Sequence, residues 1–138
     1  MTPITVETII TSDLKTIWDC FTTPAHIEKW NHASFDWECP YAENDLRVDG
    51  SFLYTMSALD GSSSFDFTGT YTAVIAFEKI AYKITGGRKV EVTFTPLSLS
   101  TVRVSETFDP ETENSIDMQR TGWQSILDAF KQHVESVT

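Results

Sequence analysis

The sequence predicts an α+β domain in which a curved, mostly antiparallel sheet of about seven strands packs against one long C-terminal helix. Three patterns carry that expectation. Apolar residues recur at every second position through most of the stretch from Phe35 to Phe108, the period at which a half-buried strand turns alternate side chains to the core. Turn signals such as Asp60-Gly61 and Gly86-Gly87 interrupt that stretch, and consecutive strands joined by short turns pair antiparallel. After Asp109-Pro110, residues Ile116, Trp123, Ile126, Leu127, Phe130 and Val134 form a stripe at helical spacing, enough for a helix of roughly twenty residues or about 30 Å.

Taken in order, Ile4, Val6, Thr8 and Ile10 alternate with mostly polar neighbours and form the first strand. Thr11-Ser12 supplies N-cap hydroxyls for a helix carrying Leu14, Ile17, Trp18 and Phe21 on one face. Thr23 caps a second short helix that starts on Pro24, whose missing N–H would have no partner there, and continues through Ile27 and Trp30. The second strand covers Phe35 to Glu38, and Pro40 to Asn44 reads as a loop. Phe52, Tyr54, Met56 and Ala58 alternate in the third strand; Phe65, Phe67, Tyr71, Ala73, Ile75 and Phe77 do so in the fourth. Ile80, Tyr82 and Ile84 lead into Gly86-Gly87, which can supply the positive φ angles of a tight turn, and Val90, Val92 and Phe94 return. Val102, Val104, Glu106 and Phe108 make the last strand. Asn114 or Ser115 caps the final helix, and the aromatic sheet face is the one broad apolar surface its stripe can cover.

Composition fits a single domain spanning residues 1–138: 41% hydrophobic and 22% charged residues suffice for a packed core. A formal charge of −10 repels phosphate backbones and anionic headgroups, so neither nucleic acid nor a membrane surface is an expected partner. Met1 to Glu7 has neither a basic region nor an apolar run, and no stretch approaches the roughly eighteen apolar residues of a membrane span. A cytoplasmic protein is expected, with Cys20 and Cys39 as reduced thiols.

The order strand, two short helices, six strands, long helix resembles the START-like (SRPBCC, helix-grip) superfamily. Four stretches, Ile17 to Thr22, Cys39 to Val48, Phe67 to Tyr71 and Glu106 to Pro110, look like bacterial stand-alone members of one branch. That branch is similar to the C-terminal domain of the activator of the ninety-kilodalton heat-shock-protein ATPase. Met118 to Leu127 is similar to the start of its final helix. The resemblance implies a pocket between sheet and helix that takes lipids, sterols, polyketides or other apolar molecules, sometimes with cyclisation or hydroxylation. It also implies a possible interaction with a chaperone.

Glu106 is the residue most in need of a role, because alternation with Val104 and Phe108 puts it on the inward face, where an unpaired carboxylate is costly. Either it pairs with Arg88, Arg120 or solvent at the strand end, or it sits in a pocket. In a pocket it would orient a ligand or act as a general acid or base with a raised pKa, which makes it the weak catalytic candidate. Arg88 shares the face of Val90 and either receives an acidic ligand or forms a surface salt bridge. Gln119 lies in the helix stripe, its amide reading a ligand's polar end or resting at the rim of the first turn. Gly122 marks close packing or room for a ligand. Trp30, Trp37, Phe52, Tyr54, Phe67, Tyr71 and Trp123 are the candidate cavity lining, with core packing the common fate of such stripes. Tyr54 and Tyr71 matter most among them, since a buried phenol needs a hydrogen-bond partner.

Other constellations point nowhere. His26, His32 and His133 show no ligand spacing with Cys20 and Cys39, so no metal is expected. Asp60, Ser62, Ser64 and Asp66 lack the central glycine and final glutamate of a calcium loop. There is no nucleophile elbow, dinucleotide fingerprint or phosphate-binding loop, and hence no expected cofactor. The sequence therefore supports a binding module for a small apolar or amphipathic ligand first, a pocket enzyme of cyclase, dehydratase or hydrolase type using Glu106 second, and a chaperone-interaction protein third. Homodimerisation stays open.

Overall fold

The computed structural model describes residues 2–138. Strand β1 (Ile4–Thr11) is followed by helices α1 (Leu14–Thr22) and α2 (Pro24–Trp30). Strands β2 (Trp37–Asn44), β3 (Ser51–Ala58), β4 (Ser64–Ile75), β5 (Lys79–Ile84), β6 (Arg88–Pro96) and β7 (Thr101–Phe108) come next, and helix α3 (Ile116–Val137) ends the chain. All seven strands form one antiparallel sheet in the order β1-β7-β6-β5-β4-β3-β2. β1 and β2 are its two edges, so α1 and α2 carry the chain from one edge to the other. The sheet curls into a half-barrel with α3 laid across its concave face, the helix-grip arrangement.

Local chemistry explains the helix ends. Thr23 and Pro24 open α2 as the sequence indicates. The cap of α1 is Asp13 and not Thr11 or Ser12: its carboxylate accepts the Thr16 N–H at 3.0 Å and the Thr16 hydroxyl at 2.7 Å. Ser12 is buried instead, and its hydroxyl meets that of Thr138 at 2.8 Å. Ser115 caps α3, accepting the Met118 N–H at 3.1 Å. Ile116 is exposed, so the buried stripe of that helix begins only at Gln119.

The sheet differs from the sequence expectation in two places. β2 runs on through Pro40 to Asn44, where a loop was expected. Proline is tolerated because β2 is an edge and its register slips in a bulge between Glu38 and Tyr41. Past the bulge the Ala42 N–H, turned away from β3, donates to Glu28 Oε2 of α2 at 3.1 Å. In β4 a bulge falls between Tyr71 and Ala73, which reverses the faces beyond it. Ile75 and Phe77 are consequently exposed, although unbroken alternation would put them inside with Tyr71. Phe77 lies past the strand end at φ 64, and its ring rests 5.5 Å from that of Trp18. The β5–β6 turn does use Gly86 and Gly87 at φ 81 and 74.

One contiguous core unites the elements. At its helical end Phe130 is fully buried, with ring centroids 5.2 Å from Phe21 and 4.9 Å from Trp30. At the other end Trp123 of α3 stacks on Phe108 of β7 at 4.0 Å and 11°. Phe130 thus joins all three helices, and replacing it leaves a void that the surrounding rings cannot close. Phe130→Ala is expected to cost about 3–5 kcal/mol in urea unfolding, whereas Phe35→Ala, at a ring 92% exposed, should stay within about 0.5 kcal/mol of the parent.

Candidate functional site

Under the first half of α3, where Met118, Gln119, Gly122, Trp123 and Ile126 line it, lies a cavity of about 380 Å³, within the range of small-molecule sites. Exposed Phe65 and Met118 stand at its rim. The wall on the β3–β4 side is aromatic: Phe52 stacks on Tyr54 at 4.7 Å and meets Tyr82 edge-on at 5.0 Å. Gly69, opposite Phe52 in the register, makes this possible, since a Cβ there would come within 2.5 Å of the Phe52 ring.

Nine of the ten residues singled out from the sequence line the cavity: Trp30, Phe52, Tyr54, Phe67, Tyr71, Arg88, Glu106, Gln119 and Trp123. Trp37 does not; it packs outside the cavity, 5.9 Å from Phe65. Sequence reasoning passed over Tyr82, Asn31 and Asn44 as pocket residues, and Tyr82 was detectable because it shares an inward face with Ile80 and Ile84.

The polar groups divide into those already satisfied and those that are not. The Gln119 amide is spent on the protein: Oε1 accepts the Glu111 N–H at 2.9 Å, and Nε2 donates to the carbonyls of Glu111 and Asn114 at 3.1 and 2.9 Å. It fastens the loop before α3. Asn44 is similarly engaged, donating to the Thr22 carbonyl at 2.8 Å while its Oδ1 accepts the Tyr71 hydroxyl. Burial pushes the Tyr71 phenol up to about 12, and burial chiefly, then the neighbouring Tyr71 and Tyr82 hydroxyls, holds Tyr54 well above the ordinary range.

Glu106 is different. It is buried on β7, and burial alone pushes its carboxyl up to about 8, with no hydrogen bond or cation offsetting the cost. Neither Arg88 nor Arg120 pairs with it among the described residues: Arg120 reaches Asp117 at 3.5 Å, and Arg88 donates only a long bond of 3.4 Å to the Asp109 carbonyl. The Tyr82 hydroxyl lies near enough that burial first and the Glu106 charge second raise it well above its usual value. The cavity floor therefore carries a neutral carboxylic acid and a neutral phenol, with the Arg88 guanidinium also on the wall. Such a set can donate to a ligand oxygen, accept from a ligand hydroxyl or transfer one proton. Its helix wall has room: a Cβ on Gly122 meets no atom within 4 Å, so close packing does not explain this glycine.

Chain folding also assembles a group that sequence spacing concealed. One ligand-type atom from each of Cys20, His26 and His133 lies within 4.8 Å of the others. The expectation that histidines and cysteines stay scattered fails for these three, because α1, α2 and α3 converge where their positions in the chain do not.

The buried acid makes stability depend on pH. An ordinary glutamate releases its proton near 4.5, while Glu106 keeps its own to about 8. Across that window the folded chain binds more protons than the unfolded one, so stability is highest below it and falls as pH rises through it. Glu106→Gln should remove that decline: its stability measured by urea unfolding matches the parent below 4.5 and exceeds it increasingly toward 8. Parallel profiles for the two proteins would show that Glu106 titrates normally.

Comparison with known proteins adds the family. Residues 12–135 match the family described as Activator of Hsp90 ATPase homolog 1-like protein. The solution structure of an AHSA1-like protein from Aeromonas hydrophila is 41% identical, covers 98% of this chain and 93% of its own, and superposes with a TM-score of 0.91. A Cytophaga hutchinsonii protein is 44% identical over 96% of this chain and 92% of its own, at a TM-score of 0.82. A Chromobacterium violaceum protein shares the fold at a TM-score of 0.84 with 22% identity, covering 98% of this chain and 99% of its own. No curated protein matches the chain. With its sequence matched almost from end to end and a helix-grip fold of the ligand-binding type, the chain belongs to the Activator of Hsp90 ATPase homolog 1-like family.

Proposed function

We propose that this chain binds one small, largely apolar molecule with a polar end, held between the aromatic sheet face and α3. The observation that carries the reading is the unpaired Glu106 carboxyl at the floor of a cavity of about 380 Å³. A buried carboxyl without a partner costs free energy that a ligand hydroxyl or carbonyl would recover. Arg88 on the same wall favours an acidic or strongly polar head group, and Phe52, Phe67 and Trp123 favour an apolar body. A molecule of this kind fits the amphipathic end of the range expected from the sequence.

A second reading, a pocket enzyme, is favoured by the same carboxyl. A glutamic acid still protonated near neutral pH is a competent general acid. Glu106→Gln would then abolish turnover of a cyclisable or hydratable ligand while retaining its binding, and unchanged turnover would exclude the role. The family description adds a chaperone-directed reading, tested by adding the isolated chain to the chaperone and measuring its ATPase rate.

Native mass spectrometry with organic extraction tests the binding reading directly: an apolar adduct at one per chain is expected. Gly122→Phe should fill the cavity and weaken binding of the adduct, or of an environment-sensitive apolar dye, by roughly tenfold or more. Gly122→Ala should keep binding and stabilise α3 by up to about 1 kcal/mol. An empty protein whose melting temperature no apolar or amphipathic compound raises, with dye binding equal in Gly122→Phe, would overturn the proposal.

A further inference from the structure

Outside the cavity, the three helices present a set of side chains that ligand binding does not use. Cys20 comes from the last turns of α1, His26 from the first turn of α2 and His133 from the last turns of α3. None of them lines the cavity. One ligand-type atom from each lies within 4.8 Å of the other two, the single such group among the described residues. His26 Nδ1 and His133 Nε2 are 2.9 Å apart, so in the absence of an ion one ring donates and the other accepts. Cys20 is buried while both imidazoles are half-buried, which closes the sulfur side and leaves the ring side within reach of solvent.

One thiol sulfur and two imidazole nitrogens make a donor set suited to zinc(II) and other borderline or soft ions, and poorly suited to calcium or magnesium, which seek oxygen. Tetrahedral zinc with bonds of about 2.0 Å to nitrogen and about 2.3 Å to sulfur separates its donor atoms by about 3.3–3.6 Å. The separations here, 2.9 Å between the rings and at most 4.8 Å across the group, straddle that range. Small side-chain rotations on three fixed helices are enough to reach it. Asp13 and Asp19 lie near Cys20 and oppose Lys29, which lies near His133, and the formal charge of −10 favours cation approach.

We propose that Cys20, His26 and His133 form a three-ligand site for a zinc-class ion, with a fourth position open to water or an external donor. The Cys20 thiol gives up its proton when its sulfur bonds the ion, so one proton is released per ion bound, and the His26–His133 hydrogen bond is replaced by two nitrogen–metal bonds. The ion joins α2 to α3 and both to α1, independently of what occupies the cavity.

The test uses the full chain, stripped with a chelator and titrated with cobalt(II) and then zinc(II). Expected are one equivalent bound, a sulfur-to-cobalt charge-transfer band that zinc abolishes, and a zinc-dependent rise in melting temperature. Cys20→Ser should lose the band, and His26→Gln and His133→Gln should each weaken zinc binding by roughly tenfold or more. His133 is half-exposed, so its variant serves if the substitution at buried Cys20 prevents folding. No saturable binding, cobalt bound without the sulfur band, or an affinity unchanged from the parent in both histidine variants would overturn the proposal and leave the imidazole pair as a hydrogen bond between helices.

Discussion

The geometry that everything else depends on is a mismatch of width. A half-barrel of seven strands presents a concave face broader than one helix can cover, and close packing demands that the remainder be filled or enclosed. Toward the end of α3, Phe130 interlocks with Phe21 of α1 and Trp30 of α2, and the three helices fill the space together. Nearer its beginning, α3 rests on the sheet through Trp123, stacked on Phe108. The cavity lies under this first half of the helix. Its existence follows from using two short helices and one long one to close a wide sheet.

This division also explains the contrast between the polar groups. Gln119, Asn44 and Tyr71 hold parts of the frame and have their partners inside the protein. Glu106 holds nothing. A chain selected for stability alone would gain by placing an apolar residue at this position of β7, since a carboxyl there loses most of its hydration without gaining a bond inside the protein. That this carboxyl without a protein partner lines the cavity under α3 is the kind of local conflict found at sites with a use beyond folding.

Much of this was legible in the sequence, because period-two and period-3.6 patterns are direct consequences of backbone geometry. Seven strands, the paired short helices and the long terminal helix all follow from them, and nine proposed lining residues do reach the cavity. The failures have physical causes. Alternation assumes an unbroken ladder, so the bulge after Tyr71 sent Ile75 and Phe77 to the opposite face from the one their spacing implied. Pro40 read as a loop because its missing N–H is fatal in a central strand and harmless at an edge. Trp37 has an inward-type neighbour pattern but stands beyond the cavity, a matter of position along the strand that periodicity does not encode. Cys20, His26 and His133 are joined across more than a hundred residues, a proximity that no local spacing rule can express.

The two ends of the sheet share a feature whose effect reaches past the single chain. At the β1 edge, the Thr11 N–H donates to Glu135 Oε2 at 2.9 Å and Gln124 donates to the Glu7 carbonyl at 3.2 Å. At the β2 edge, Glu28 takes the Ala42 N–H. Side chains from helices thus occupy backbone groups that a neighbouring strand would otherwise claim. An extended peptide, or a second sheet, has to displace those helix contacts before it can add on. The protein can therefore keep several large apolar side chains at its surface, Phe65 and Met118 at the cavity rim among them, while guarding its most aggregation-prone element. Edge-to-edge pairing is thus opposed at three backbone groups by side chains of α2 and α3, whether the cavity is empty or filled.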